Sequence, residues 1–514
     1  MTQTSRLMLN TVVSYSRSLL ALFLGLFSTR WVLQALGQED YGLYGVVGSL
    51  LVAISFLNVT LSTSISRFYA FSIGAANNTK RKEDERDLRG WFNAALVIHC
   101  GLAILMLVIG LPLGEYAIRN VLSIPLNRMM ACVWVFRISV VSSFVGLVFV
   151  PYCAFYTAYQ YIAELTLFEM ARTVCNFVCA YLLLNTTSDR LVSYSVMMAS
   201  ISIMVTIAQL WRARYQFPVR MSLLDFKFEI IRIREILRYG SLRLLGVLGW
   251  LFKAHGSAFV INLNFSPREN ATYTIANQVV AHASALSASL VNAIIPALTT
   301  FAGAGEMERM RLYAIRTCKI SSVLVALFAI PLICEMDYVL GVWLKSPPPY
   351  ASEICSLFLV AFIIDATSVG CMTAISTETR IGSWQSVESL VLAVSVPALW
   401  LCYKSDFAFP AIGYVFMIIS ILTVCERLYF GWRIVGVSPM KWTREVIVPI
   451  SVIIACGVLC GKIISGMMPM SICRLTSVVI TTCISTTSLF IIFAMDSVER
   501  QYLVRLMSKA RVQS

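Results

Sequence analysis

Residues 91–113 read WFNAALVIHCGLAILMLVIGLPL, a run without a charged side chain. A helix needs about 20 residues to cross a hydrocarbon layer of about 30 Å, so this stretch predicts a membrane-spanning helix. Its apolar residues are continuous and do not alternate with polar ones, which favours a helix over a barrel strand.

The composition of the whole chain agrees with this stretch. Of its 514 residues, 58% are hydrophobic and 13% are charged, and the mean hydropathy is +0.77. A soluble core cannot cover so much apolar surface, which indicates that lipid surrounds the chain. We predict an all-α polytopic membrane protein of the inner (cytoplasmic) membrane type, without a sizeable soluble domain.

The same length criterion, applied along the chain, predicts 14 membrane-spanning helices, or 12 if the last pair does not span. The predicted spans lie near 8–29, 42–66, 91–113, 128–150, 162–185, 190–211, 238–262, 272–299, 318–340, 351–375, 385–403, 408–428, 445–467 and 472–494. The boundaries predicted from this pattern are a six-helix bundle over 1–211, a basic cytoplasmic linker over 212–237, a second six-helix bundle over 238–428, and two additional helices with a cytoplasmic tail over 429–514.

The two predicted bundles resemble each other weakly. Residues 36–47 read LGQEDYGLYGVV and join spans 1 and 2, while residues 265–276 read FSPRENATYTIA and join spans 7 and 8. When the two sequences are aligned without gaps, Asp40 matches Glu269, Gly42 matches Ala271 and Tyr44 matches Tyr273. A repeat of six spans is a parallel repeat about an axis along the membrane normal, which predicts a path between two halves.

The basic residues predict the orientation of the chain. Segments predicted to lie inside hold roughly three times as many Lys and Arg residues as those predicted outside, so both termini are expected in the cytoplasm. Arg427 counts among the inside residues and Arg474 among the outside ones. The net charge of +14 is then explained by topology and by contact with anionic lipid head groups rather than nucleic acid. The first apolar run carries Arg17, which argues against a cleaved signal peptide.

Other classes of site find little support in the sequence. The three histidines are isolated, and the 15 cysteines mostly lie in apolar runs, where a thiol behaves as a small hydrophobe. We expect no metal site and no catalytic residue. The predicted outside loops are too short for a folded domain, which favours a transporter over an enzyme.

Three segments resemble a known family. They are LGQEDYGLYG at 36–45, ISRFYA at 65–70 and FSPRENATYTIANQVV at 265–280. They are similar to the polysaccharide branch of the multidrug/oligosaccharidyl-lipid/polysaccharide (MOP) exporter superfamily, and most of all to O-antigen and repeat-unit flippases of the Wzx type. The chain departs from the family pattern at Glu39 and Asp40, where a proline–acid pair is common.

The resemblance implies a function. Such proteins have 12 or 14 spans and alternate access around a central cavity, moving an undecaprenyl-diphosphate-linked oligosaccharide from the inner to the outer leaflet. It also implies a role in the synthesis of a surface polysaccharide such as O-antigen in lipopolysaccharide, capsule or exopolysaccharide, in functional association with a polysaccharide polymerase and glycosyltransferases.

Cations at membrane depth would suit the diphosphate of such a substrate, because a charge inside a bilayer usually faces the protein interior or water. Arg17 lies near the middle of span 1, and Asn10 and Ser14 lie on the same helix face. A guanidinium can bind phosphate through two parallel hydrogen bonds. The predicted cavity cations are Arg17, Arg137, Lys253, Arg243 and Arg67. Snorkelling to the membrane surface explains Arg67 and Arg243 equally well, and a buried structural partner is the alternative for Arg17 and Arg137.

Polar and acidic residues complete the predicted site. Span 8 carries a stripe of Thr274, Asn277, Ser284 and Asn292, which suits sugar hydroxyls or, alternatively, close helix packing. Asp365 and Glu388 are candidates for coupling to H⁺ or Na⁺, with a structural hydrogen bond as the alternative. We expect Glu169 and Arg172 to pair with each other, since they are three residues apart on one helix.

Three functions are therefore compared. The first is the lipid-linked oligosaccharide flippase, which requires cations in its cavity. The second is a cation-coupled multidrug or toxin exporter of the same superfamily, for which an acidic cavity is expected. The third is a membrane-embedded polysaccharide polymerase or ligase, which typically needs a large outside loop with catalytic residues.

Overall fold

The computed structural model describes residues 3–79, 82–159, 161–217, 229–377, 382–495 and 500. Within these ranges the regular secondary structure is entirely helical. Many large apolar side chains are exposed on the helices, for example Val108, Met204 and Leu390. So much exposed apolar surface is stable only in lipid. The predicted class, an all-α polytopic membrane protein, is confirmed.

The helices fall into an earlier and a later series along the chain. The earlier ones are α1 (Gln3–Thr79), α2 (Lys82–Leu105), α3 (Leu111–Asn120), α4 (Met129–Ala158), α5 (Ile162–Leu182), α6 (Arg190–Gln216), α7 (Ile230–Leu251), α8 (Ser257–Asn264) and α9 (Pro267–Ala304). The later ones are α10 (Met307–Leu344), α11 (Ala351–Ala366), α12 (Val369–Ser376), α13 (Gly382–Ala393), α14 (Ser395–Lys404), α15 (Ala411–Phe430), α16 (Pro439–Trp442), α17 (Val448–Met467) and α18 (Ile472–Leu489). Short π-helical turns continue several of them, as at Phe252–Gly256 between α7 and α8.

Nine helical segments of the described ranges are long and apolar enough to cross a membrane, and the bent pair α11–α12 would make ten. These ten coincide with the third to sixth and the ninth to fourteenth predicted spans. The other four predicted spans fall in α1, in α7 and α8, and in α9, helices whose side chains are described only in part.

The chain forms two compact units, Met1–Thr272 and Tyr273–Ser514. The predicted division at residues 211, 237 and 428 stays a prediction, because packing contacts alone do not define a sequence repeat. Helix α6 continues to Gln216 and α7 begins at Ile230, so both helices extend into the predicted linker.

In the first unit, an aromatic core joins α1, α2 and α4. The rings of Tyr69 and Phe155 stack with their centroids 4.5 Å apart, and Phe92 lies 5.9 Å from Phe155. All three side chains are almost completely buried. This core fixes the second half of α1 against its neighbours.

The two segments predicted to be equivalent in the repeat touch each other within the first unit. Helix α1 is broken at Gly37 (φ 77°), a backbone conformation that favours glycine. Beyond the break, Gly42 lies so close to the start of α9 that a Cβ atom would overlap the carbonyl oxygen of Pro267 and lie 3.2 Å from the backbone nitrogen of Ala271. Glycine is therefore required at position 42 by the approach of two backbones.

Arg128 joins three helices at one end of the first unit. Its guanidinium donates to Asp40 of α1 at 2.6 and 2.8 Å and to Asp189 at 2.7 and 3.2 Å. Asp189 is also the N-cap of α6, where it accepts from the backbone N–H groups of Leu191 and Val192. The hydrogen bond from Arg128 holds the pKa of Asp189 below its ordinary value. Asp40 is one of the two residues at which the sequence departs from the family pattern. It has a structural partner in Arg128.

A buried ion pair holds the C-terminal helices in the second unit. Glu335 lies where α10 departs from helical geometry (φ −120°, ψ 22°), and its side chain is fully buried. Arg474 of α18 donates to Glu335 Oε2 at 2.6 and 3.1 Å. The Lys319 ammonium of α10 donates at 3.1 Å to the carbonyl of Ala494, in the π-turn Phe490–Ala494 that continues α18. Helix α10 is therefore joined to α18 by an ion pair and to the turn after it by a charge-assisted hydrogen bond.

Replacing Arg474 by leucine should strongly destabilise the second unit, because Glu335 would keep a buried charge without a partner. Loss of one member of a buried pair costs about 3–5 kcal/mol. The double variant Arg474→Leu, Glu335→Leu should recover most of this loss, since no charge remains. The measurement is the free energy of unfolding in detergent micelles. Equal losses in the single and double variants would contradict the electrostatic explanation.

The contribution of Arg128 to stability should depend on pH. Because the folded-state pKa of Asp189 is lowered, the stabilisation is fully present above the unfolded-state value of about 3.9 and is lost as the pH falls through the folded-state pKa. Arg128→Gln should cost about 1 kcal/mol at pH 7, since the pair is partly exposed, and less below pH ~4.

The Tm difference between wild type and Arg128→Gln, followed from pH 7 to pH 3, tests this. Arg309→Gln, which removes an exposed pair with Glu306, is the matched control and should change the Tm little at any pH. If the Tm difference between wild type and Arg128→Gln stays constant with pH, the charge of Asp189 has no role.

Candidate functional site

A membrane-spanning segment of the second unit is broken between α11 and α12, which meet at an angle of 50°. Thr367 and Ser368 occupy the break. Their hydroxyls donate to the carbonyls of Ile364 at 2.6 Å and Asp365 at 3.0 Å. Broken spans often form binding sites in transporters, because they free backbone groups at membrane depth.

Arg427 of α15 holds the break together. Its guanidinium donates to Asp365 Oδ1 at 3.0 Å and to the Ser368 hydroxyl at 3.3 Å. It also donates to Glu388 Oε1 of α13 at 2.7 and 3.0 Å. The Arg427 side chain is only 7% exposed, so these are charge-assisted bonds in a largely dry place. One side chain therefore connects three helices.

A third acid accompanies this arginine. Glu426 is 8% exposed, and neither of its carboxylate oxygens has a hydrogen-bond partner among the residues of known placement. Together with Asp365 and Glu388, the cluster contains three carboxyl groups and one guanidinium. A buried carboxylate without a partner is costly, so this cluster has the capacity to take up a positive charge.

The described ranges contain no group of three His, Cys, Asp or Glu side chains that could hold a metal ion. The acids around Arg427 are thus not arranged as a coordination sphere. A proton, which needs only one acceptor, suits Glu426 better than a cation that several carboxylates would have to ligate.

Sequence reasoning had selected Asp365 and Glu388 but not their partner. Both carboxylates accept hydrogen bonds from Arg427. The predicted role in coupling to H⁺ or Na⁺ and the alternative of a structural hydrogen bond therefore concern the same cluster. From the sequence, Arg427 is predicted only as a basic residue of the inside face, and Glu426 has no predicted role. The available signal was that these two are the only charged residues in α15, whose sequence is AIGYVFMIISILTVCERLYF.

The predicted cavity cations all belong to the first unit, and the structure gives them different environments. Arg17 is exposed on α1, and no hydrogen bond or ion pair joins it to another residue of the described part. Arg67 is exposed, and Lys253 is half-buried in the π-turn before α8. Arg137 forms two hydrogen bonds with Glu115 at 2.6 and 3.0 Å. The side chain of Arg243 lies outside the described residues.

The structure describes three of the predicted polar residues, all of them in α9. Asn277 donates to the carbonyl of Tyr273 at 2.9 Å and Ser284 to that of Ala281 at 2.8 Å, both within α9. Thr274 is half-buried. The side chains of Asn10, Ser14 and Asn292 lie outside the described residues. The stripe as a substrate surface therefore stays a prediction.

The predicted pairing of Glu169 with Arg172 is confirmed. The two side chains of α5 approach to 3.4 Å. The pairing leaves no net charge on this face of the helix.

No protein-family model matches the chain, and no curated protein matches it. Solved structures do. The inward closed conformation of the lipid II flippase MurJ has a TM-score of 0.69 at 9% identity, covering 95% of this chain and 98% of that one. The inward-facing conformation of a multidrug resistance MATE family transporter of the MOP superfamily has a TM-score of 0.60 at 12% identity, covering 83% and 98%.

A MOP superfamily transporter from Pyrococcus furiosus has a TM-score of 0.53 at 14% identity, covering 84% of this chain and 94% of its own. Identities this low describe the fold and not the substrate. The chain has the fold of the flippases and transporters of the MOP superfamily.

Proposed function

We propose that this protein is a flippase that moves an undecaprenyl-diphosphate-linked oligosaccharide across the bacterial inner membrane for surface polysaccharide synthesis. The observation that carries the proposal is Arg17, an exposed arginine without a described partner in a predicted membrane-spanning segment. A charged side chain at membrane depth costs free energy, and it usually faces a ligand site or a water-filled cavity.

The chemistry of the substrate explains why a cation would be kept there. The diphosphate cannot cross hydrocarbon unaided, whereas the prenyl tail can stay in lipid. The guanidinium of Arg17 can donate two parallel hydrogen bonds to a phosphate. Lys253 is the second candidate, because it is half-buried in the π-turn Phe252–Gly256, within a predicted membrane-spanning segment.

The fold is compatible with the proposal, since it is shared with the lipid II flippase over 95% of this chain and with the MATE transporter over 83%. Within the proposal, the termini are cytoplasmic, the two halves alternate access, and a polymerase and glycosyltransferases are functional partners that consume and supply the glycolipid.

We also propose that transport is coupled to protons through the cluster around Arg427. Its support is the buried carboxyl group of Glu426, which lacks a described partner, at a broken membrane span. Protonation of Glu426 would remove one negative charge from the cluster and so change how firmly Arg427 is shared between Asp365 and Glu388.

Replacing Arg17 or Lys253 by alanine should slow flipping by about tenfold or more, because each loses a charge-assisted hydrogen bond of about 1.5–3 kcal/mol. The assay uses proteoliposomes with fluorescent undecaprenyl-diphosphate-linked N-acetylglucosamine and measures the fraction reached by an impermeant quencher. Arg309→Ala, which removes an exposed surface arginine, is the control. Wild-type rates in both variants would refute the assignment, as would drug resistance conferred by the wild-type protein in the absence of flipping.

Glu426→Gln should abolish the dependence of the flipping rate on an imposed pH gradient, because an amide cannot take up the proton. The rates are compared with and without the gradient in the same proteoliposomes. Glu353→Gln, which alters an exposed acid at the start of α11, should keep the wild-type response. An unchanged response in Glu426→Gln would exclude this carboxyl group as the coupling site.

A further inference from the structure

An open cavity with a mixed polar and apolar lining lies in the first unit. It is lined by α1, α4, α5 and α6 and has a volume of about 460 Å³. One water molecule takes up about 30 Å³, so the space exceeds that needed for a few bridging waters. It falls within the range of about 300–1,000 Å³ that is typical of small-molecule sites.

The walls of the cavity carry hydrogen-bonding groups that nothing in the described chain uses. Four serine hydroxyls have no hydrogen bond to a residue of known placement; they belong to Ser62, Ser142, Ser143 and Ser202. The Nε of Arg172 and the Oδ1 of Asn58 are buried and without a partner. Buried polar groups are nearly always paired, so Arg172 Nε and Asn58 Oδ1 require water or a ligand, and the accessible serine hydroxyls beside them can bond to the same molecule.

The charge of the cavity narrows the class of ligand. Glu169 and Arg172 both line it and neutralise each other at 3.4 Å. Neither a diphosphate nor a free cation would find a net opposite charge there. A neutral group with many hydroxyls fits, because hydroxyls and amides both donate and accept hydrogen bonds.

Part of the wall is apolar. Leu147 and Val150 of α4 and Leu165 of α5 contribute it. A sugar ring combines hydroxyl groups on its edge with C–H groups on its faces, and it can therefore meet both kinds of wall. A bulky apolar drug would leave the serine hydroxyls and Arg172 Nε unpaired.

We propose that this cavity binds a neutral sugar ring of the lipid-linked oligosaccharide, as a subsite separate from the cations that would hold the diphosphate. The inference rests on the proposed function. It divides the head group between two kinds of environment, charged for the phosphates and uncharged for the carbohydrate.

Cys153 provides a native reporter for the test. It lines the cavity, with its Sγ 3.7 Å from Gln209 Oε1. Cys132 lies in the same helix, α4, and is completely buried, so it serves as the internal control. The full-length protein in lipid nanodiscs is treated with N-ethylmaleimide, and the modification of each cysteine is followed by mass spectrometry.

The probes are the methyl glycosides of glucose, galactose, mannose and N-acetylglucosamine, with inorganic pyrophosphate as the anion. At twice its Kd, a glycoside that fills the cavity should slow the modification of Cys153 about threefold, and pyrophosphate should not. Ser202→Ala and Ser143→Ala should each weaken this protection. Ser195→Ala should not, since Ser195 of the same helix α6 bonds to the carbonyl of Val135 instead.

Three results would overturn the subsite: a Cys153 that reacts no faster than Cys132, protection by none of the glycosides, or equal protection by pyrophosphate. The flipping assay, run on the same variants, separates this proposal from the proposed function. Flipping without protection removes the sugar subsite alone, whereas protection without flipping in the wild-type protein removes the flippase assignment.

Discussion

The structure is organised by the requirement that a charge inside a bilayer has a partner. Two combinations of buried charge in the described helices show this: Arg474 with Glu335, and Arg427 with Asp365 and Glu388. Each combination joins helices distant in sequence. In a medium where apolar contacts between helices gain little over contacts with lipid, such pairs determine which helices pack together. They also make the exceptions informative, because Glu426 and Arg17 lack described partners.

Much of the fold follows from the sequence for a simple reason. The thickness of the bilayer sets the length of a span, so apolar runs of about 20 residues locate helices without knowledge of packing. Ten predicted spans coincide with candidate spans of the structure. The matched positions Gly42 and Ala271 lie in contact, and the repeat itself stays a prediction. The break between α11 and α12 was missed, because Thr367 and Ser368 do not interrupt the apolar run as a proline or charge would.

The site was harder to predict because pairing depends on distances across the fold. Asp365 and Glu388 were selected for being acidic within apolar runs, yet their partner Arg427 lies 62 and 39 residues away in sequence. Because Arg427 lies near the end of a predicted span, the sequence predicts it as one of the basic residues that set the orientation of the chain. The cavity around Arg172 was equally hidden, since serines spread over three helices give no motif. Only Glu169 and Arg172, one helical turn apart, could be paired from sequence.

The anchoring of the last two helices has an evolutionary consequence. The fully buried Glu335 forms its ion pair with Arg474 of α18. A chain of this architecture that ended before α17 would therefore be expected to carry a neutral residue where this one has Glu335. The acid and the helix pair should have been gained or lost together, so the residue at that one position in α10 would distinguish lineages that have α17 and α18 from those that lack them, even in fragments without the C-terminus.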